Sequence, residues 1–143
     1  MSFTYATLKT AIQNYCETSE TTFNSNLSVF IKEAEERILK SVEIPDFRKN
    51  VTGSATSGTT YLHYKYRPAS LTAGADGGTT WLSTNAPNAL LYGSLVEAST
   101  FIKTTEETPY YDQRFQESIA ELKKLGEGYG IRDEHRYDIS RMG

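Results

Sequence analysis

Apolar residues recur at helical spacing over four stretches of the chain and at period two over one. Tyr5, Leu8, Ile12 and Tyr15 predict a first helix over residues 5–17, with Thr4 as its N-cap and the polar run Thr18–Thr22 as its break. Leu27, Phe30, Ile31, Ala34, Ile38 and Val42 form one stripe and predict a second helix over 25–43. Asn24 or Ser25 is its expected cap and Pro45 its stop. Glu33, Glu35, Glu36, Arg37 and Lys40 fall on its remaining surface, where Glu33–Arg37 and Glu36–Lys40 are favourable i,i+4 pairs. A third helix over 86–104 carries Ala89, Leu90, Leu91, Leu95, Val96, Ala98, Phe101 and Ile102 on more than one face. It is therefore expected to be the central helix, with Asn85 as cap and Pro87 in the first turn. Thr108-Pro109 opens a fourth helix over 109–125, with the stripe Tyr111, Phe115, Ile119, Leu122 and Leu125 and a stop at Gly126.

Between the second and third helices the period changes. Residues 49–68 are β-branched, small and glycine-punctuated, which predicts two strands joined near Ser57-Gly58. Leu62, Tyr64 and Tyr66 would share one face of the second strand, and His63, Lys65 and Arg67 the other. Ser70–Thr80 is a Gly/Ala/Thr loop, either mobile or built for close backbone approach. Residues 127–143 hold three glycines between their charges and have no usable period. The expectation is a main domain over 1–126 and a C-terminal arm over 127–143, disordered by itself, with Tyr129, Ile131, Tyr137, Ile139 and Met142 spaced like anchors. A merely solvated tail is the alternative for that composition. The fold class is thus mainly α: a four-helix bundle-like core, a small β-hairpin or β module, and an extended C-terminal arm.

Composition narrows the function. With 15 Lys+Arg against 18 Asp+Glu and no basic block, the chain is a poor general nucleic-acid binder. No apolar run reaches the roughly 18 residues of a membrane span, and the lone Cys16 cannot close an internal disulfide. Cys16 reads as a small hydrophobe on the Ile12 side of the first helix. Met1–Tyr5 has no positive n-region or apolar h-region, so no signal peptide is expected. Ten Tyr and six Phe sit in a chain only 38 % apolar, which points to surfaces that become half-buried on assembly.

Catalytic and metal constellations are not found. His63 and His135 stand apart, outside any metal-binding spacing. Glu33 and Glu36 share a helix face with basic partners, which is an ion-pair face rather than an acid cluster. The Gly74–Gly78 loop matches neither a P-loop nor a dinucleotide fingerprint. Lys65, Arg67 and Arg48 make only a small basic patch. No catalytic residue, metal ligand or cofactor is expected.

Several adjoining words, in order, carry a resemblance. Ala34-Glu35-Glu36-Arg37-Ile38, Ile44-Pro45-Asp46-Phe47-Arg48, Val51-Thr52-Gly53-Ser54, Thr59-Thr60-Tyr61-Leu62 and Tyr66-Arg67-Pro68-Ala69-Ser70-Leu71 are followed by TTWLSTNAPNALLYGSLVEAS over Thr79–Ser99 and Gln113-Arg114-Phe115-Gln116-Glu117. Across most of residues 1–130 the chain resembles the head-to-tail adaptor (neck or connector) proteins of short-tailed bacteriophages. The resemblance implies a ring, usually twelve-fold, under the portal protein of a DNA-filled capsid. Such a ring is added after packaging and serves as the platform for a tail nozzle or tail hub protein. It also implies a virion location after synthesis in the host cytoplasm, no membrane, and genomic DNA passing through without specific binding. The arm residues Tyr129, Ile131, Arg132, Arg136, Tyr137, Ile139 and Arg141 would then bind the portal. Glu33, Glu36 and Glu97 are candidate channel or seam acids.

One departure stands out. The family has a longer β region where Leu62 here runs straight into His63, either a shortened module or residues absent from the sequence at that join. Two other readings compete: a small phage enzyme or accessory factor, such as a nuclease or lysis factor, and a regulatory binding module with an inducible tail. Turnover in a metal-dependent nuclease assay would favour the first. A monomer that ignores portal but orders on another partner would favour the second.

Overall fold

The computed structural model describes the backbone of residues 2–44, 47–55, 58–104 and 106–142, with side chains except over 48–65 and 126–142. Among these residues the protein is mainly α, with six helices: α1 (Tyr5–Cys16), α2 (Thr21–Ser25), α3 (Leu27–Ser41), α4 (Trp81–Asn85), α5 (Pro87–Phe101) and α6 (Thr108–Met142). Strands β1 (Arg48–Ala55) and β2 (Gly58–Lys65) pair antiparallel between α3 and α4, from Arg48↔Lys65 to Ala55↔Gly58. The register passes through Val51↔Leu62 and Asn50↔His63 without a break. The turn residue Ser57, the helix stop Pro45 and the facing of Leu62, His63, Tyr64 and Lys65 lie outside the described residues.

α5 is the hub, packing against α3, α6, α1 and α4. Its multi-faced apolar pattern requires this: Leu90, Leu95 and Ala98 are fully buried, and so are Ser94 and Ser99. The two serines donate back to the carbonyls of Leu90 and Val96, which removes the cost of burying a hydroxyl. The α3 stripe is buried throughout, Val42 included, as are Tyr111, Phe115, Ile119 and Leu122 of α6. Three expected stripe members are about half exposed instead: Tyr15, Phe101 and Leu125.

Helix ends account for most departures from expectation. Thr4 caps α1 through a reciprocal box with Thr7. α1 stops because Glu17 turns left-handed at φ 52°, and the polar run beyond it forms α2. Asn24 and Ser25 therefore lie inside α2 and do not cap α3, whose N-cap is Asn26. Asn85 likewise ends α4 and donates to the Trp81 carbonyl; Ala86 precedes α5, and Pro87 takes the first helical position. α5 ends at Phe101 rather than 104, just before Lys103 at φ 63°.

The glycine-rich loop is the close-approach alternative. Its Gly78 and Asp76 carbonyls accept the N–H groups of Tyr5 and Ala6, two of the orphan donors at the start of α1. Lys9 reinforces the contact with a 2.9 Å ion pair to Asp76.

α6 does not stop at Gly126. The helix runs on to Met142, so residues 127–142 continue α6 in place of the expected unstructured arm. An interior glycine costs only about 1 kcal/mol relative to alanine, and extending an existing helix avoids the nucleation cost. Asp133/Arg136 and Asp138/Arg141 also stand at supportive i,i+3 spacing.

Candidate assembly interface

The end of α1, the middle of α5 and the first turns of α6 bring four tyrosines together. Tyr111 is buried and lies edge-on to Tyr15 and Tyr110, with centroids 6.5 Å and 5.7 Å away. Tyr15 and Tyr110 are about half exposed, at 48 % and 52 %. Tyr92 reaches the same group from α5, with the Tyr15 phenol as a neighbour. Arg114, one turn after Tyr110, stacks its guanidinium 5.5 Å over that ring. Its Nε donates to the Tyr110 hydroxyl at 3.4 Å, and it also pairs with Glu117 at 3.6 Å.

Burial pushes the Tyr111 phenol up to about 12, helped by the Glu107 carboxylate beside it. Tyr92 is raised for the same first reason and by the neighbouring Tyr15 phenol. These two hydroxyls stay protonated at physiological pH, so the patch presents apolar ring faces, phenol donors and one fixed cation. Those are the residue types that dominate interface energetics.

A second aromatic cluster lies at the far end of α5. Phe101, 41 % exposed, packs on Phe30 and Phe23 at 5.4 Å and 6.3 Å beside the half-exposed Val29. A third, of Phe47, Tyr66 and Trp81, sits at the base of the strand pair. A shallow cleft of about 140 Å³ between the start of α5 and α6, lined by Pro87, Asn88, Ser118, Glu121 and Leu125, is below the usual size of a small-molecule site, roughly 300 Å³ and up.

The candidate acids separate. Glu33 is exposed. Glu36 takes both terminal nitrogens of Arg67, at 2.5 Å and 2.9 Å, and Glu97 pairs with Arg37 at 2.7 Å. The expected pairs along α3 thus give way to pairs between elements, because α5 and the segment after β2 bring cation and acid within closer reach. That pairing also takes Arg67 out of the expected basic patch with Lys65 and Arg48. Glu35 is not on the surface: at 8 % exposure it lies between Ile31 and Ile38 on the buried arc. Cys16 is half-buried and its thiol is pushed up to about 11, chiefly by burial, in keeping with an inert packing role.

Tyr129, Ile131, Arg132, Arg136, Tyr137, Ile139 and Arg141 follow one another along the last turns of α6; their side chains lie outside the described residues, as does that of His135. Sequence reasoning missed Tyr110. Its signal was an aromatic off the α6 stripe, which the fold has no interior position to accept.

Comparison with known proteins bears on the whole assembly. Nothing among curated proteins matches the chain. A family model described as SU10 adaptor protein matches residues 50–137. The match takes in the Thr79–Ser99 words and runs on as far as Tyr137. The match spans more than half of the sequence, so the chain belongs to the SU10 adaptor protein family, and that membership implies a phage head-tail adaptor: a structural, non-enzymatic protein of the virion neck that binds portal and tail proteins.

Proposed function

We propose that the protein is a ring-forming neck subunit with three contacts: a neighbouring copy, the portal above and the tail protein below. The family match over residues 50–137 carries this reading. In it, twelve copies close a ring under the portal once DNA is packaged, and a tail nozzle or hub docks beneath. The Tyr15–Tyr92–Tyr110–Arg114 patch supplies one half of a heterologous subunit seam, since a closed ring joins two different faces of the same chain. The last turns of α6 form the portal-binding arm, with Tyr129, Ile131, Arg132, Arg136, Tyr137, Ile139 and Arg141 as its contacts.

The lumen passes DNA without gripping it. A net charge of -3 supports this, because a wall rich in free cations would bind phosphates. Of the three candidate acids, Glu33 is the one whose charge is exposed, whereas Arg67 and Arg37 hold the other two.

Electron microscopy of the protein mixed with its portal tests the reading: rings on the portal are expected, and a chain that never associates with portal refutes it. Truncation after Gly126 is expected to weaken portal binding by tens-fold; unchanged affinity removes the arm from the interface.

A further inference from the structure

The segment leaving β2 returns to the bundle along α3 and is held there by two consecutive acids. Tyr66 donates its N–H to the Phe47 carbonyl at 2.9 Å. Arg67 forms the two-pronged pair with Glu36. Glu35 Oε1 then accepts from the Leu71 N–H at 3.1 Å and the Ser70 hydroxyl at 3.2 Å, and Leu71 itself is buried. Helical geometry sets adjacent residues about 100° apart, so Glu36 meets its partner at the rim while Glu35 meets its partners inside.

The two holds differ in kind. Glu36 faces a cation across a half-exposed rim. Glu35 is a buried carboxylate that no salt bridge reaches among the described residues. Its charged neighbours on α3 are Lys32 and Glu36. The returning segment offers Arg67, engaged by Glu36, and the hydroxyls of Ser70 and Thr72, which lie 2.8 Å apart. From α5, Glu97 is held by Arg37. One amide and one hydroxyl only partly offset the cost of removing a carboxylate from water.

We infer that residues 66–72 are a strap whose seating on α3 depends on the proton of Glu35: the strap sits more firmly when Glu35 is protonated and lifts more readily when it is ionised. Burial is the largest influence on this carboxyl and raises its proton affinity, with Glu36 adding to it, while the Leu71 amide, the Ser70 hydroxyl and Lys32 pull the other way. A lifted strap lets water reach the carboxylate and returns it towards its ordinary value. The seated state therefore binds the proton more tightly, and its stability falls as pH rises from the ordinary carboxylate value through the raised one. Because the strap continues β2, lifting it loosens the base of the strand pair. The inference rests on the fold alone and does not require the ring.

Amide NMR on the full chain tests it, with Leu71 protection against hydrogen exchange read relative to Leu95, which reports opening of the core. Between pH 7.5 and 4.5 the Leu71 amide shift is expected to titrate with a midpoint above the ordinary carboxylate range, and its relative protection to rise severalfold as pH falls. In Glu35→Gln the titration disappears and protection is high at both pH values. Ser70→Ala removes a donor that favours the charged form, so the midpoint moves up; this variant decides the matter should the glutamine variant not fold. Protection that falls or stays level on acidification, a glutamine variant less protected at pH 7.5, or a midpoint unmoved by Ser70→Ala would each overturn the inference.

Discussion

Gly93 sits where three helices meet. A Cβ built on it would lie 3.0 Å from the Ala34 Cβ of α3 and 3.0 Å from the Phe115 ring of α6. Both neighbours are buried, so neither has free space into which to retreat. Gly93→Val is expected to lower stability by about 1–3 kcal/mol, measured by urea unfolding; a variant as stable as the parent would mean that the helices spread at little cost. The sequence shows this glycine only as a flaw in an apolar helix, since the reason for it lies on two other helices. Glu35 was hidden in a similar way. Its spacing from Ile31 and Ile38 put it on the buried arc, but its charge argued for the surface, and the strap that covers it comes from more than 30 positions away.

At the scale of elements, legibility follows how local the determinant is. The stripes of α3 and α6 and the hub role of α5 were readable because periodicity alone sets which face is buried. The Thr4 cap was readable too, since its partner Thr7 is one turn away. Thr4→Ala is expected to cost about 1 kcal/mol through two lost bonds at the start of α1, read as a lower midpoint in thermal unfolding; Thr4→Ser should restore most of it. The breaks were harder to read. α1 and α5 end at left-handed Glu17 and Lys103, residues with no marked liking for that conformation, in turns closed by the Thr18 N–H on the Gln13 carbonyl and the Thr104 N–H on the Ser99 carbonyl. α6 continues through a glycine that looked like a stop, because glycine permits a helix end without imposing one. Of the candidate interface, the arm came from the family resemblance and the spacing of its anchors, whereas the tyrosine patch needed the end of α1, the middle of α5 and the start of α6 to converge.

At the scale of the whole molecule, the exposed aromatics among the described residues gather in a few places. The double variant Tyr110→Ser/Arg114→Ser removes the outer half of the patch, while Tyr111, the buried ring beneath, stays in place. Surface changes of this kind usually move stability by no more than about 0.5 kcal/mol, so the unfolding midpoint should hold while ring formation weakens at least tenfold; full assembly by the double variant would place the seam elsewhere. The cluster under the strand pair has a different use. Trp81 is the chain's single tryptophan, and it packs edge-on against Phe47 at 5.5 Å, while Phe47 also meets the Tyr66 ring at 5.7 Å. Its indole therefore senses the root of the strand pair and nothing else in the chain emits like it. The protein carries its own optical gauge of whether that module is docked, legible in the colour and intensity of its native fluorescence without any attached dye.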